Sequence, residues 1–598
     1  MNMGNPLRKT RIVCTVGPAV NRVDTLEQMI RSGMSVARFN FSHGDHDVHR
    51  QLIRMVREAS RSTGIPVALL ADTKGPEIRT GNVLNNEPIQ LQRGKQIRLT
   101  ADDVPGTAER LSISYGRLPQ EVIPGARLLI ADGLIELEVL ETGQKEMTCL
   151  IHSDGTIGAK KNVNVIGVRT GLPAVSEKDR ADLEMVMAEG MDFVAASFVR
   201  KATDIHEIQQ QLESCRHRRQ SIPPIIAKIE DQEGLANIDE IIRISSGVMV
   251  ARGDLGVQMP PEEIPLIQKR IIQKCNRAGK VVIVATQMLD SMIRNPLPTR
   301  AEVTDVANAI LDGTDAVMLS GETAQGRYPV EAVTMMHRIA LETEQSEYQL
   351  SGSRLPMDGN MHDGIAASAV MTAGSIGARA IIAPTYSGNT PRLLFRHRPR
   401  SPIVAVTPFT EVQRRLLLHR GVYPIISPEV SDTDTMIRQA VTEAQKQGFV
   451  KPLDKYVLAA GIPIGSPIML NTVRVEMLAE VIAHGLRGFG TRAHGTVLKA
   501  ANAREAAERL GEDGTQILAI EYLDESFVPL MARIAGYVVE HFSSIPFETL
   551  CRDNPALVGV AGAAQAYDAL ADGDAIVLDG KEKLVLKAPG ASSTVNPN

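Results

Sequence analysis

Eight short runs of apolar residues mark the first half of the chain, and most are followed by a stretch in which apolar residues recur at helical spacing. The runs are Ile12–Val16, Met34–Phe39, Pro66–Ala71, Asp192–Phe198, Pro224–Ile229, Gly247–Ala251, Val281–Ala285 and Ala316–Leu319. Apolar residues at successive positions are typical of strands that are covered on both faces, as in a parallel sheet. Eight such strands alternating with helices predict a (β/α)8 barrel, the TIM barrel fold.

The third repeat is interrupted by residues 75–170, where no helical period is found. Short alternating segments, separated by Gly, Pro and Asp turns, occupy this stretch instead. They are Ile89–Leu91, Gln96–Leu99, Arg127–Ile130, Leu134–Val139 and Thr148–Ile151. We therefore expect a small all-β domain inserted in a barrel loop as a lid, with residues 1–74 and 171–350 forming the barrel.

Two further α/β units are expected after the barrel. Residues 351–477 alternate apolar runs with helical stretches, and the runs are Ala380–Ala383, Ile403–Val406, Val422–Ile426 and Lys455–Ala460. Residues 478–490 include a Gly-rich segment and are expected to be a linker. Residues 491–588 are expected to form the third unit, and 589–598, rich in Pro, Ser and Gly, a disordered tail.

Composition excludes several classes of protein. The 598 residues predict three to five domains at roughly 100–200 residues each. A net charge of -5 shows no basic excess, so we expect no nucleic-acid partner. No apolar run of about 18 residues is present, so no membrane association is expected. Five widely spaced cysteines without a CxxC pair favour a reducing cytoplasm.

Polar side chains end seven of the eight predicted strands. Active sites of (β/α)8 barrels lie at the C-terminal ends of the strands. These groups are therefore expected to lie together at that end of the barrel, its mouth. In chain order they are Arg38, Asn40, Ser42, His43, Asp72, Thr73, Lys74, Ser197, Lys228, Glu230, Arg252, Gly253, Asp254, Thr286, Ser320 and Glu322.

The chemistry of these groups points to an anionic substrate and a metal. Glu230 and Asp254 are carboxylates on adjacent strands, which suit Mg2+ when phosphate oxygens and water complete its ligands. Arg38 and Lys228 are cations able to neutralise a phosphoryl group in transit. The segment Arg252–Gly256 is suited to present backbone N–H groups to a carboxylate at a helix N-terminus.

A second cation is suggested by oxygen atoms at two neighbouring strand ends. The oxygens belong to Asn40, Ser42, Asp72 and Thr73. Since only Asp72 carries a formal charge, the set suits a large monovalent ion better than a divalent one.

Other interpretations of these residues remain open on pattern alone. A buried Lys–Glu pair is more often a structural ion pair, His43 is compatible with a solvated turn, and Lys178 with a solvated helix start. Convergence of complementary groups from independent strands favours a catalytic site. The pattern therefore indicates a metal-dependent enzyme acting on an anionic substrate.

Several segments resemble the pyruvate kinase family, and they span about residues 7–477. They are Arg8–Pro18, Ala37–Gly44, Asp72–Gly81, Ile226–Glu230, Val250–Gly256, Ala285–Leu289, Asp305–Ala309 and Met318–Ala324. The resemblance implies a (β/α)8 barrel with an inserted β-barrel lid. It also implies phosphoryl transfer from phosphoenolpyruvate to ADP, giving pyruvate and ATP in the last step of glycolysis.

The resemblance also implies roles for matching residues in catalysis and substrate binding. Lys228 is expected to stabilise the transition state and the enolate, and Arg38 to contact the substrate phosphate. Gly253, Asp254 and Thr286 are expected to contact phosphoenolpyruvate, with Thr286 near the protonation step.

Cofactor and nucleotide sites are implied in the same way. The resemblance places Mg2+ (or Mn2+) at Glu230 and Asp254, and K+ at the Asn40, Ser42, Asp72 and Thr73 set. The implied nucleotide contacts are Asn40, His43, Arg79 and Lys178. Glu77 matches the potassium-dependent branch of the family.

The second α/β unit resembles the regulatory domain of the family, which implies a phosphorylated effector and a cytoplasmic homotetramer. Its loop 385–392 is rich in hydroxyl groups and Gly, a composition that can cradle a phosphate. The candidate effector residues are Thr385, Ser387, Gly388, Asn389 and Thr390. A plain turn is the alternative. Pro391 and the segment 465–471 depart from the family pattern.

The third α/β unit resembles the extra domain of some bacterial pyruvate kinases, which is similar to phosphohistidine swivel domains. Those domains carry Thr-Ser-His, whereas the matching region here is Glu540–Phe547, and His541 lies too early in it. We therefore expect a structural or assembly role for this unit. Two other functions stay open, a metabolite sensor without activity and a phosphohistidine transferase that uses His541.

Overall fold

The computed structural model describes residues 7–217, 220–346, 360–464, 469–511, 513–541 and 545–587. Eight parallel strands close into a barrel, which confirms the prediction. They are Arg11–Thr15, Val36–Asn40, Ala68–Asp72, Phe193–Ala196, Ile225–Ile229, Gly247–Ala251, Val281–Ala285 and Ala316–Leu319, numbered here as barrel strands 1–8. The predicted runs start and end within about two residues of these strands, the usual uncertainty of element boundaries.

The barrel strands are buried on both faces, which explains their continuous apolar runs. In strand 1, Ile12 packs in the core between strands and helices, whereas Val13 lies in the cluster inside the barrel. Both are fully buried. The surrounding helices are Val23–Ser32, His46–Thr63, Glu177–Ala188, Ala202–Ser214, Gln232–Ala236, Ile238–Ile244, Arg252–Gln258, Ile264–Ala278, Arg300–Leu311, Gly321–Ala324 and Pro329–Gln345.

The insertion after strand 3 is all-β, as predicted. Its strands are Ile89–Leu91, Gln96–Thr100, Arg110–Ser112, Arg127–Ile130, Ile135–Thr142, Glu146–Ile151, Gly155–Ile157 and Val163–Ile166, with one short helix, Leu118–Glu121. They form a six-stranded and a two-stranded sheet around a single apolar core. The insertion therefore has a core of its own beside the mouth of the barrel.

The second unit packs on the barrel at the N-terminal ends of the strands, opposite the mouth. Its strands are Ala380–Pro384, Ile403–Thr407, Val422–Ile426, Lys455–Ala460 and Thr472–Met477, and its helices are Met361–Ser375, Asn389–Arg396, Thr410–Leu416 and Thr433–Lys446. The first four strands are parallel, and Thr472–Met477 adds an antiparallel edge that was not predicted from the sequence. No residue of that strand is buried and two are exposed, so it lacks the apolar run used to find the others.

The third unit contains an eight-stranded mixed sheet. Its strands are Glu480–His484, Arg487–Phe489, Arg492–Lys499, Gln516–Ile520, Gly536–Val539, Val558–Ala561, Ala575–Asp579 and Leu584–Lys587, with helices Ala503–Arg509, Phe547–Leu550 and Ala566–Ala569. The predicted tail lies outside the described residues. No helix in the described part of the chain is long and apolar enough to cross a lipid bilayer.

The expectation of a linker at 478–490 is wrong. Glu480–His484 and Arg487–Phe489 are the two edge strands of the eight-stranded sheet. The glycines in this segment permit close packing rather than flexibility. A Cβ atom at Gly488 would overlap the carbonyl oxygen of Gly580, so only glycine lets these backbones approach.

Candidate active site

Lys228 lies at the centre of a buried charged cluster at the mouth of the barrel. Its Nζ is 3.0 Å from Asp72 Oδ1 and 2.9 Å from Glu230 Oε1, and it donates a hydrogen bond to Ser197 Oγ at 2.7 Å. Burial disfavours the charged ammonium, but attraction from Asp72 and Glu230 outweighs it and raises the pKa of Lys228. The side chain therefore remains a cation in the site.

Asp72 links Lys228 to a second cation. Arg38 Nε lies 2.6 Å from Asp72 Oδ2, and Arg38 Nη1 donates to Thr15 Oγ1 at 2.8 Å. Burial would raise the pKa of Asp72, but Arg38 and Lys228 outweigh it and lower that pKa. One ionised carboxylate thus orients two cations that come from different strands.

Glu230 and Asp254 form a carboxylate pair beside Lys228. Glu230 Oε2 accepts a hydrogen bond from the Phe198 N–H at 2.6 Å, and the charge of Asp254 acts on Glu230. Burial raises the pKa of Glu230 to about 7, with Lys228 opposing and Asp254 adding to the rise. Burial also raises the pKa of Asp254. A divalent cation would neutralise the two carboxylates, and their oxygens are ligands that Mg2+ prefers.

Thr286 joins strand 7 to the helix after strand 6. Its Oγ1 accepts from the Gly253 N–H at 2.8 Å and donates to the Ala285 carbonyl at 2.6 Å. Gly253 and Asp254 are both in the first turn of helix Arg252–Gln258. The structure therefore brings Gly253, Asp254 and Thr286 together, as the sequence analysis expected.

The expected K+ ligands are also adjacent. Asn40 and Asp72 are register partners in strands 2 and 3, and Asn40 Oδ1 accepts from the Ser42 N–H at 3.1 Å. Thr73 follows Asp72 directly, and its N–H donates to the Ala195 carbonyl at 3.0 Å. Oxygen atoms of all four residues thus lie around two neighbouring strand ends.

The expected nucleotide contacts fall in two places. Lys178 Nζ donates to the Phe41 carbonyl and to Asp182 Oδ2, both at 2.8 Å, so it anchors the turn that contains His43. Arg79 lies in the lid segment, where its Nε donates to Glu77 Oε2 at 2.7 Å. Lys178 thus has structural partners that the sequence did not indicate.

The effector loop of the second unit begins a helix at Gly388, whose φ is 81°. The Thr385 hydroxyl accepts from the Gly388 N–H at 3.0 Å, and the Thr390 hydroxyl donates to the Met469 carbonyl at 2.7 Å. Ser387 is exposed and Asn389 half-buried. The two threonines therefore shape the loop, and Asn389 Oδ1 accepts a hydrogen bond from Arg392.

Two residues of the site were missed as functional residues. The Ser197 hydroxyl donates to the Thr73 carbonyl at 2.7 Å and contacts both Lys228 and Asp72. Arg252 bonds the backbone carbonyls around Thr286. Both had been noted at strand ends, but a hydroxyl and an arginine with partners on other strands carry no distinctive spacing in the sequence.

Comparisons with known proteins agree with this geometry. Residues 7–333 match the pyruvate kinase barrel domain family, and residues 363–476 match the pyruvate kinase alpha/beta domain family. The chain is 47% identical to a pyruvate kinase of Geobacillus stearothermophilus, over 96% of this chain and 97% of the relative. It is 43% identical to a pyruvate kinase of Sporosarcina psychrophila, over 97% and 99% of the two chains.

A solved structure supports the same conclusion. The crystal structure of a pyruvate kinase from Cryptosporidium parvum superposes with a TM-score of 0.74 at 40% identity, covering 79% of this chain and 96% of that one. The chain therefore belongs to the pyruvate kinase family and is a phosphotransferase that acts on phosphoenolpyruvate and ADP.

Proposed function

We propose that the cluster around Lys228 carries the transfer of the phosphoryl group from phosphoenolpyruvate to ADP. The observation that supports this most strongly is the Lys228 ammonium, held within 3.0 Å of Asp72 Oδ1 and of Glu230 Oε1 in a buried site. Phosphoryl transfer needs cations fixed in advance where charge develops on the equatorial oxygens. Lys228 supplies one, and Arg38, oriented by Asp72, supplies the other.

Glu230 and Asp254 are the proposed ligands of Mg2+ or Mn2+. Such an ion, when bound, polarises the phosphoryl and enolate oxygens as a Lewis acid. Glu230 is held for this role by the Phe198 N–H, which fixes one of its carboxylate oxygens. The proposed K+ ligands are Asn40, Ser42, Asp72 and Thr73.

Gly253, Asp254 and Thr286 are proposed to orient phosphoenolpyruvate. The hydrogen bond between the Gly253 N–H and Thr286 Oγ1 fixes the hydroxyl next to the first turn of the helix. After transfer, the enolate accepts a proton at carbon to become pyruvate. Thr286 is proposed to lie beside that carbon.

Asn40, His43, Arg79 and Lys178 are the proposed nucleotide contacts. Arg79 belongs to the lid segment, and His43 and Lys178 belong to the barrel. A nucleotide between them would draw the lid over the mouth and exclude water, which limits hydrolysis of the phosphoryl group. Lys178 would have to exchange its bond with Asp182 for one with the nucleotide.

A phosphorylated metabolite is proposed to bind the effector loop of the second unit. Ser387 is exposed there and Asn389 is half-buried, at the start of helix Asn389–Arg396. The other candidate contacts are Thr385, Gly388 and Thr390. Turnover measured at subsaturating phosphoenolpyruvate with a panel of phosphorylated metabolites tests this proposal. A panel without any effect on turnover counts against it.

A cytoplasmic homotetramer is the proposed assembly. Helix Met361–Ser375 exposes Met361 and Met371, at 61% and 62%, and the edge strand Thr472–Met477 exposes Val475 at 52%. An exposed apolar helix face and an unpaired strand edge are features of interfaces between copies. The third unit is proposed to serve this assembly rather than to carry phosphate on His541.

The activity is tested by coupling pyruvate formation to a dehydrogenase in the presence of phosphoenolpyruvate, ADP, Mg2+ and K+. We expect rapid pyruvate formation that requires both ions. Folded protein that forms no pyruvate would favour the metabolite-sensor alternative. Acid-labile labelling of His541 by phosphoenolpyruvate would favour the phosphohistidine transferase.

A further inference from the structure

The turn after barrel strand 7 has an uncommon backbone. Thr286 and Gln287 are consecutive residues with φ values of 69° and 54°. Residues other than glycine rarely adopt this left-handed region, and two in succession persist only where the surroundings hold them. The turn carries Thr286, so whatever holds it also determines where the Thr286 hydroxyl lies.

Arg252 makes the contacts that hold this turn. Its Nη2 donates to the Thr286 carbonyl at 2.7 Å, and its Nε donates to the Ala285 carbonyl at 3.2 Å. The two acceptors lie on either side of the Thr286 Cα. A planar guanidinium can bond both at once, which the single ammonium of a lysine does poorly.

The Arg252 side chain is itself fixed from the opposite side. Its Nη1 lies 2.8 Å from Asp305 Oδ1, and only 13% of the side chain is exposed. The next residue, Gly253, donates its N–H to Thr286 Oγ1. Arg252 therefore holds the backbone of Thr286, while its neighbour Gly253 holds the hydroxyl.

We propose that Arg252 is a positioning residue for Thr286, acting by clamping the strained turn through the carbonyls of Ala285 and Thr286. This inference rests on the proposed role of Thr286 in the reaction. Arg252 directly follows strand 6 and Thr286 directly follows strand 7, so the clamp also fixes the spacing between these strand ends. The competing explanation is that Arg252 and Asp305 form an ion pair that only stabilises the barrel.

The test compares Arg252→Lys, Arg252→Met and the control Arg294→Met, whose arginine is exposed and pairs only weakly with Asp290. Turnover and the exchange of pyruvate methyl protons with deuterated water are measured, together with thermal unfolding. Arg252→Lys keeps a positive charge opposite Asp305 but loses the planar guanidinium that bonds two carbonyls at once. We expect Arg252→Lys to lower kcat by about tenfold or more, because small displacements of reacting groups strongly lower the rate. The midpoint of thermal unfolding should change little.

A double-mutant cycle separates this inference from the role of Thr286. Thr286→Ala alone tests whether Thr286 takes part in the reaction. In the Thr286→Ala background we expect Arg252→Lys to lower proton exchange by less than about threefold, because residues that act through one another are not additive. Equal effects of Arg252→Lys in both backgrounds would overturn the inference and leave the role of Thr286 standing.

Relief of the backbone strain gives a second test. Gln287→Gly removes the penalty of positive φ at one position, so the turn depends less on the clamp. In the Arg252→Met background we expect Gln287→Gly to recover at least about threefold of the lost kcat, since a near-attack geometry is partly restored. If kcat does not recover, or if Arg252→Lys has full activity, the proposed positioning role of Arg252 is wrong. The Arg294→Met control should equal the wild type.

Discussion

Asp72 connects the two cations of the active site, Arg38 and Lys228. Its Oδ1 contacts Lys228 and its Oδ2 contacts Arg38, and it is 1% exposed. Breaking a buried pair leaves the remaining charge uncompensated, which costs about 3–5 kcal/mol. At this scale, stability and catalysis therefore depend on the same carboxylate.

We predict that Asp72→Asn lowers both the free energy of unfolding and kcat. The loss of stability should be about 3–5 kcal/mol, because Arg38 and Lys228 then repel each other without a shared partner. Denaturation of the purified variant and steady-state kinetics measure the two effects. Asp24→Asn is the matched control, since its pair with Arg22 is exposed and worth about 0–1 kcal/mol. Equal stability losses in the two variants would contradict this account.

A second residue-scale prediction concerns the potassium requirement. Glu77→Lys places a fixed cation in the segment that follows Thr73, where it can stand in for the bound ion. We expect activity at low K+ to rise relative to activity at saturating K+. A K+ titration of turnover measures this, and a curve identical to that of the wild type would count against the proposed site.

The sequence predicted the charged groups of the site better than the groups that orient them. Lys228, Glu230 and Asp254 were identified because acids and bases ended successive apolar runs, and strand topology then required them to meet. Ser197 and Arg252 were not assigned roles. Their partners are backbone carbonyls and side chains from other segments, among them Lys228 and Asp305, and such contacts exist only once the strands are in register.

At the scale of single elements, burial on both faces made the barrel strands easy to predict. Strands at sheet edges were harder to predict, because solvent reaches one face or one side of the strand. Such a strand does not need a continuous apolar run. Thr472–Met477 and Glu480–His484 are both edge strands with several exposed residues. The sequence predicted a flexible linker because this segment contains Gly485, Gly488 and Gly490. In the structure these glycines allow neighbouring backbones of the sheet to pack closely.

We predict that Gly488→Ala destabilises the third unit by about 1–3 kcal/mol, the usual effect of inserting atoms into a packed region. The added methyl group would overlap the Gly580 carbonyl oxygen. Hydrogen exchange of the paired strand Val558–Ala561 measures the effect. Gly374→Ala is the control, because nothing lies within 4 Å of that Cβ position and helical alanine gains about 0.5–1 kcal/mol. Unchanged exchange in Gly488→Ala would contradict the packing explanation.

At the scale of the whole molecule, two arginines of the second unit contact carboxylates at the base of the barrel. Arg414 Nε lies 2.8 Å from Asp192 Oδ1, and Arg398 Nη2 lies 2.9 Å from Asp315 Oδ1. Asp192 also accepts from the Leu69 N–H, and Asp315 from the Val282 N–H, both on barrel strands. The second unit is thereby tied to the strands whose opposite ends form the active site.

We predict that Arg398→Met destabilises this junction in a pH-dependent way. Burial raises the pKa of Asp315, while Arg398 opposes the rise. Without Arg398 the ionised carboxylate has lost its main partner, so stability falls as pH rises above the unfolded-state pKa and recovers as Asp315 becomes protonated at lower pH. Near pH 8 the loss should be about 3–5 kcal/mol.

Hydrogen exchange of strand Val281–Ala285 at several pH values, corrected for intrinsic exchange rates, measures the effect at this junction. The control is Arg438→Met on helix Thr433–Lys446, where the arginine is exposed and its Nη2 donates to Thr435 Oγ1. A loss of protection that does not depend on pH would contradict the role assigned to Asp315.

The Lys228 ammonium, fixed by Asp72 and Glu230, is proposed to stabilise the phosphoryl group during transfer. The most direct test is kcat of Lys228→Met, with Lys274→Met on an outer helix as control. We predict that kcat falls by about a hundredfold to a thousandfold, while the lysine on the outer helix is dispensable. Wild-type turnover in folded Lys228→Met would contradict the account.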